Sequence, residues 1–184
     1  IYGFTWNEYC DWYLELSKVV LNDPQASAAA QRGTRRTLIQ VLETLLRLLH
    51  PITPFITEEI WQRVAALAGK TGSTIMREPY PQADLAVIDR QAIEEMRWLM
   101  SVIAGIRNIR CEMDIAPSKL LPVLLQDASA QDLAFLERNR STLATLARTE
   151  SITSLKPGDV APESATALVG NMQVLVPLGS VINK

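Results

Sequence analysis

The sequence predicts a mainly α protein of the α+β class, an antiparallel helical bundle followed by a small α/β module. Three observations carry this expectation. Apolar residues recur at helical spacing in four segments before Pro117. Beyond Pro117, short apolar runs bounded by turn formers take their place. The composition, 48% hydrophobic and 21% charged over 184 residues, is that of a globular chain able to bury a core. The bundle is assigned to 1–116 and the module to 117–184.

The first helix is built around Thr5 to Leu16, TWNEYCDWYLEL, the densest aromatic stretch of the chain. At a period of 3.6, Trp6, Cys10, Tyr13, Leu16 and Val20 share an apolar face, so Trp6 and Tyr13 are expected inside. Asn7, Asp11, Glu15 and Lys18 form the polar stripe beside it. Ile1-Tyr2-Gly3-Phe4 offers no capping side chain, which suggests that the helix begins upstream. It should fade near Leu21, before the turn formers Asn22-Asp23-Pro24-Gln25.

A second helix starts at Ser27 or Arg32 and ends at His50, where Pro51 stops it. Thr57, followed by Glu58 and Glu59, reads as the start of a third helix running to Ala68, with Gly69 closing it in a left-handed conformation. From Lys70 to Asp89 the chain is irregular around an extended run Thr74-Ile75-Met76. Asp89 then caps the longest helix, Arg90 to Met113, roughly 36 Å at 1.5 Å per residue.

In the module, Leu120 to Gln126 reads as a strand in which Pro122 favours an edge or a bulge. A helix from Ser129 to Ala147, with a break near Asn139 allowed, leads to a second strand, Ser151 to Leu155. A loop from Lys156 to Ser164, containing Pro157, follows. Thr166 to Val169 and Met172 to Val176 then form a hairpin across Gly170-Asn171, because glycine supplies the positive φ that tight hairpin turns require.

Several functions are disfavoured at once. Two distant cysteines, Cys10 and Cys111, and the single His50 make a zinc site improbable and suit reduced cytoplasmic thiols. No membrane span, secretory leader or phosphate-binding glycine loop is present in the pattern. His50 lies between a leucine-rich helix and a proline, a position for helix capping rather than nucleophilic catalysis. Glu58 and Glu59 are adjacent and point about 100° apart, so they cannot converge as an acid/base pair; helix-dipole stabilisation is the simpler role. No catalytic residue and no metal ligand is assigned.

With a net charge of −2, any case for nucleic acid must be local. Two basic clusters qualify: Arg32, Arg35 and Arg36 on the second helix, and Arg107, Asn108, Arg110 and Lys119 around the end of the long helix. Arginine forks hold phosphates well, although composition alone favours a solvated helix face with internal ion pairs, for which Glu112 and Asp114 supply partners.

Taken together, TWNEYCDWYLELSK, RGTRRTLIQVLETLLRLLHPITPFITEEIWQ, and Ile103 to Arg110 with EMDIAPSK resemble the carboxyl-terminal region of bacterial valyl-tRNA synthetases. The HP-x-x-PF-x-TEE-x-W segment, His50 to Trp61, is shared by several class I synthetases of the valine, isoleucine, leucine and methionine group. The WNEYCDWYLE segment is closest to the valine enzymes. The resemblance implies an anticodon-binding helical bundle followed by an α/β module, in a parent ligase that esterifies valine to its tRNA using ATP and Mg2+. It implies the valine tRNA, and the catalytic and coiled-coil regions of the same polypeptide, as partners in the cytoplasm. The HIGH and KMSKS signatures of catalysis are absent from this sequence, so no cofactor is assigned to it. Carried over by position, Asn7, Asp11, Glu15, Arg32, Arg36, Arg107, Arg110 and Lys119 become candidate tRNA contacts. Valine tRNAs share an adenine and a cytosine at the second and third anticodon positions, whose exocyclic amines an acid or asparagine can read. The alternatives are a helical scaffold making mainly interdomain contacts, or the equivalent domain of an isoleucyl or leucyl enzyme.

Overall fold

The structure, a computed structural model, describes residues 1–156 and 158–181. Pro157 of the expected loop and residues 182–184 lie outside the described residues. The chain divides into two compact units, Ile1–Ile88 and Asp89–Lys184. The long helix is thus counted with the sheet, because it packs on the strands.

The first unit opens with Phe4–Tyr13, wound as a π-helix, which runs without interruption into α1, Leu14–Leu21. The i→i+5 winding shows where the Leu14 amide donates to the Tyr9 carbonyl. It also corrects the expected face. In an α-helix Trp6 would stand within about 60° of Tyr9, whereas the looser turn swings it well outside that arc. Tyr9 is buried at 8% exposure and Ser17 at 3%, Tyr13 is half-buried, and Trp6 is 56% exposed. Tyr9 and Tyr13 stack with centroids 6.4 Å apart, and the Tyr9 hydroxyl donates to the Leu38 carbonyl across the helix pair.

Helix α2, Ala28–Leu49, begins at the earlier of the two expected starts, because the Ser27 hydroxyl accepts from the Ala30 amide. Helix α3 is Pro54–Val64. Its start precedes the expected Thr57 cap: Pro54 occupies the first turn, where its fixed φ suits a helix and its missing N–H would be unsatisfied anyway. The far end also differs, since the helix stops at Val64 rather than Ala68 and 65–69 continue as turns, but the left-handed stop at Gly69 is as expected. Gly69 adopts φ 74, its amide donates to Ala66 O, and the Lys70 amide reaches back to Ala65 O, the paired bonds of a Schellman stop. The Thr74-Ile75-Met76 run is not extended; Ile75–Arg77 form a 3₁₀ turn capped by the Thr74 hydroxyl, which drops Ile75 into the core.

That core is small: Leu46, Trp61, Ala65 and Ile75, flanked by Leu42, Ile60 and Val64. A polar network is buried beside it. Glu43, 3% exposed, accepts from Trp61 Nε1 at 3.1 Å and from Arg47 Nε and Nη2 at 2.8 and 2.9 Å, while Arg47 Nη1 donates to the Pro79 carbonyl. The bidentate fork satisfies both charges inside the fold, as a buried carboxylate requires. The loop after α3 is therefore held to α2 by a backbone contact as well as by Ile75.

The second unit begins with α4, Arg90–Glu112, capped by Asp89. A mixed sheet follows, built from β1 (Leu121–Gln126), β2 (Thr149–Ser154), β3 (Ser164–Val169) and β4 (Met172–Pro177) in the order β2-β1-β4-β3. Strands β1 and β2 are parallel and joined through α5, Ala130–Leu146, which is unbroken at Asn139 and starts in a Ser129–Asp132 capping box. Pro122 lies on an internal strand, at a register shift against β2, so the bulge alternative holds. The β3–β4 hairpin turns at Gly170, φ 60. A short α6, Leu178–Val181, completes the unit. Leu121, Val123, Leu125, Val174 and Val176 are fully covered, with α4 and α5 packed against the sheet and each other. At Gly105 the α4 backbone comes so close to β3 that an added Cβ would lie 3.1 Å from Ala167 Cβ. No helix among the described residues is long and apolar enough to cross a membrane.

Candidate nucleic-acid interface

The segment His50 to Trp61 places its polar side chains in structural work. The Thr57 hydroxyl, buried, donates to the Thr53 carbonyl at 2.8 Å, leaving its oxygen to accept from His50 Nδ1 at 2.8 Å. His50 is the C-cap of α2 and fastens the α2–α3 corner from that position. Glu58 is not in the first turn of α3 and serves as a clip rather than a dipole partner. It accepts from Gln62 Nε2, from the Thr74 hydroxyl and from the Ile75 amide, and these bonds, that of Gln62 foremost, hold its carboxyl below the usual carboxylate range. Glu59 pairs with Arg63 on the surface. Among the described residues no three His, Cys, Asp or Glu side chains gather into a metal-holding group.

The polar edge of the first helix is open. Asn7 and Asp11 are exposed, and Glu15 is half-buried and paired with Lys18. With Trp6 turned outward, this helix presents an aromatic ring next in sequence to Asn7.

Arg32, Arg35 and Arg36 are all exposed and line a surface groove of about 830 Å³ in the first unit. Its remaining wall is apolar or small: Ala29, Gly33, Leu38, Ile39 and Leu67. Arg35 shares a long bond with Gln31, and none of the three arginines meets a carboxylate among the described residues. The antiparallel run of α2 and α3 brings Leu67, from the C-terminal turn after α3, to the amino-terminal third of α2. That juxtaposition was invisible in the sequence, although a glycine inside the helical pattern at position 33 was an available signal.

The second basic cluster is a different kind of object. Arg110 is 8% exposed and donates to the carbonyls of Ala116, Ala147 and Arg148 at 3.3, 3.1 and 2.7 Å. Burial and the nearby Arg148 push its pKa down, yet the guanidinium sits where the last carbonyls of α5 concentrate negative partial charge. Arg107, exposed, donates to Leu146 O at 3.4 Å in the same helix end. Arg110 is therefore corrected from an RNA-facing arginine to an internal strut that ties α4 to the end of α5. Lys119 is half-buried in the turn before β1. Arg107 keeps an exposed side chain.

In sum the first unit holds an open polar helix edge and an unneutralised arginine groove, and its reactive-looking side chains are spent on fastening helices. This arrangement can grip a polyanion and hydrogen-bond to it. Comparison with known families finds the anticodon-binding domain of tRNA ligase matching residues 1–125, about two thirds of the sequence. On that match, the chain belongs to the family of anticodon-binding domains of tRNA ligases.

Proposed function

We propose that this chain reads the anticodon arm of valine tRNA as part of a cytoplasmic valyl-tRNA synthetase, whose catalytic region supplies the ATP- and Mg2+-dependent esterification. The observation that carries the reading is the open edge of the first helix. Asn7 and Asp11 are exposed there with Trp6, so groups able to accept from an exocyclic amine lie beside an aromatic face. Unstacked anticodon bases are recognised by that combination of stacking and base-edge hydrogen bonds. The valine assignment rests on the WNEYCDWYLE segment in which these residues stand. Arg32 and Arg36 in the first unit, and Arg107 and Lys119 in the second, supply phosphate contacts, whereas Arg110 takes no part in binding.

The test compares binding of isolated anticodon stem-loops from valine and non-valine tRNAs, with Asn7→Ala and Asp11→Ala alongside. Tighter binding of the valine stem-loop, lost in the variants, is expected. Equal affinity for all stem-loops at low salt refutes the recognition role. In the complete ligase, Asp11→Ala is expected to slow tRNA charging while leaving ATP–pyrophosphate exchange intact.

A second reading, a scaffold for interdomain contacts, is favoured by a specific patch. Ile52, Phe55 and Ile56 at the α2–α3 corner are 74%, 90% and 56% exposed. Substituting these three by serine would reduce amino acid activation as well as charging if the patch docks a catalytic region.

A further inference from the structure

Gly33 stands inside a 22-residue helix, where glycine is a poor choice because it loses more backbone freedom on folding than alanine does. Nothing in the packing asks for it. A Cβ built at Gly33 meets no atom within 4 Å, and its φ is not in the positive range. Contrast Gly105, where a neighbouring strand explains the missing side chain. What Gly33 does is keep the wall of the arginine groove bare: it lies between Arg32 and Arg36 on one helix face, with Ala29 a turn earlier. Arg32 and Arg36 rise about 6 Å apart along the axis, comparable to the spacing of neighbouring phosphates along one nucleic-acid strand.

We propose that this groove holds a single-stranded stretch of RNA by its backbone, with the ribose-phosphate chain lying against the bare helix at Gly33. The arginines bind consecutive phosphates, and the sugar or base faces rest on Leu38, Ile39 and Leu67. The inference rests on the reading of this unit as an RNA binder and adds a mode to it. The groove wall carries no acid, amide or hydroxyl side chain and so has no means of telling one base edge from another. Its contribution is affinity without sequence preference, separate from the base-reading edge of the first helix. Charge complementarity selects the occupant: three unneutralised cations in a chain of net charge −2 call for a polyanion.

The experiment measures fluorescence anisotropy of short labelled oligouridylate, oligocytidylate and oligoadenylate with the 184-residue chain, as wild type, Arg32→Gln/Arg36→Gln and Gly33→Met. Methionine at position 33 fills the groove while favouring the helix, so weakened binding cannot be attributed to unfolding. Similar affinity for the three homopolymers is expected, with a salt slope near 0.7 per phosphate held. At least a tenfold loss is expected in Gly33→Met with thermal stability unchanged or raised, and a slope smaller by about 1.4 in the double arginine variant. If the wild type binds none of the oligonucleotides at low salt, the RNA reading itself falls. If it binds them and Gly33→Met binds them equally, only the groove assignment falls. A strong preference for one homopolymer overturns the sequence-independent mode, and tighter binding of polyglutamate than of RNA would assign the groove to an acidic protein segment instead.

Discussion

Replacing Arg110 by methionine separates a structural arginine from an RNA-binding one. Methionine preserves most of the aliphatic stem and removes the donations to Ala116 O, Ala147 O and Arg148 O. A hydrogen bond to a charged group is worth about 1.5–3 kcal/mol. The 3.3 Å contact with Ala116 adds little, so two good bonds and the charge at the α5 terminus set the gross loss. Against it stands the relief of a desolvated guanidinium, whose depressed pKa records the penalty of burial. The net expectation is a destabilisation of about 2–3 kcal/mol, within the range seen when one partner of a buried polar cluster is removed. At roughly 4–8 °C per kcal/mol for a domain of up to a hundred residues, Tm should fall by about 8–24 °C if the second unit melts alone. Calorimetry reads this directly, and anisotropy with an anticodon stem-loop well below the transition should show wild-type affinity. Arg36→Gln should do the reverse, weakening RNA binding with little change in Tm. An Arg110→Met protein with wild-type Tm and lost RNA affinity would refute the assignment of Arg110 as an internal strut.

Glu43→Leu strands Arg47 and Trp61 Nε1 in a buried site and should destabilise the first unit by about 3–5 kcal/mol in urea titration; adding Arg47→Met should recover at least half of that loss. Glu95 is held below the usual carboxylate range, chiefly by the Arg138 hydrogen bond and then by Asn139. Its folded pKa is depressed, so its contribution is present above the unfolded value near 4.3 and is lost as pH falls through the folded value; Glu95→Gln should flatten the acid limb of the stability profile there and leave the neutral-to-basic limb unchanged in shape. Gly33 and Gly105, inside the two longest helices, should respond with opposite signs: Gly33→Ala stabilises by roughly 0.5–1 kcal/mol, and Gly105→Val destabilises by about 1–3 kcal/mol or more because its side chain meets Ala167. Chemical denaturation of both variants checks the pair.

Much of the architecture was legible because its causes are local. Ser27, Asp89 and Ser129 cap their helices through hydroxyls and a carboxylate that accept from backbone amides three residues on, and Gly69 and Gly170 take the positive φ their turns need. Thr57 misled for an equally local reason: it has the chemistry of a cap, but Pro54 starts the helix a turn earlier and turns the threonine inward to His50. The opening helix misled through its period, since a 3.6-residue repeat puts Trp6 on the Tyr9 side and the π winding does not.

The sequence by itself determined the class, most of the succession of elements and the anticodon-binding-domain membership that the HP-x-x-PF-x-TEE-x-W segment announced, because helix stops, turns and caps are set by residues within one turn of each other. Only the tertiary structure decided which charges face outward. Arg110 and Arg36 have the same side chain on similar helices. One is met by the carbonyl end of α5 and buried; the other looks onto a groove bounded by Leu67, thirty-one positions further along the chain. The fate of a side chain depends on what a distant segment brings against it, and helical spacing alone carries no record of that approach.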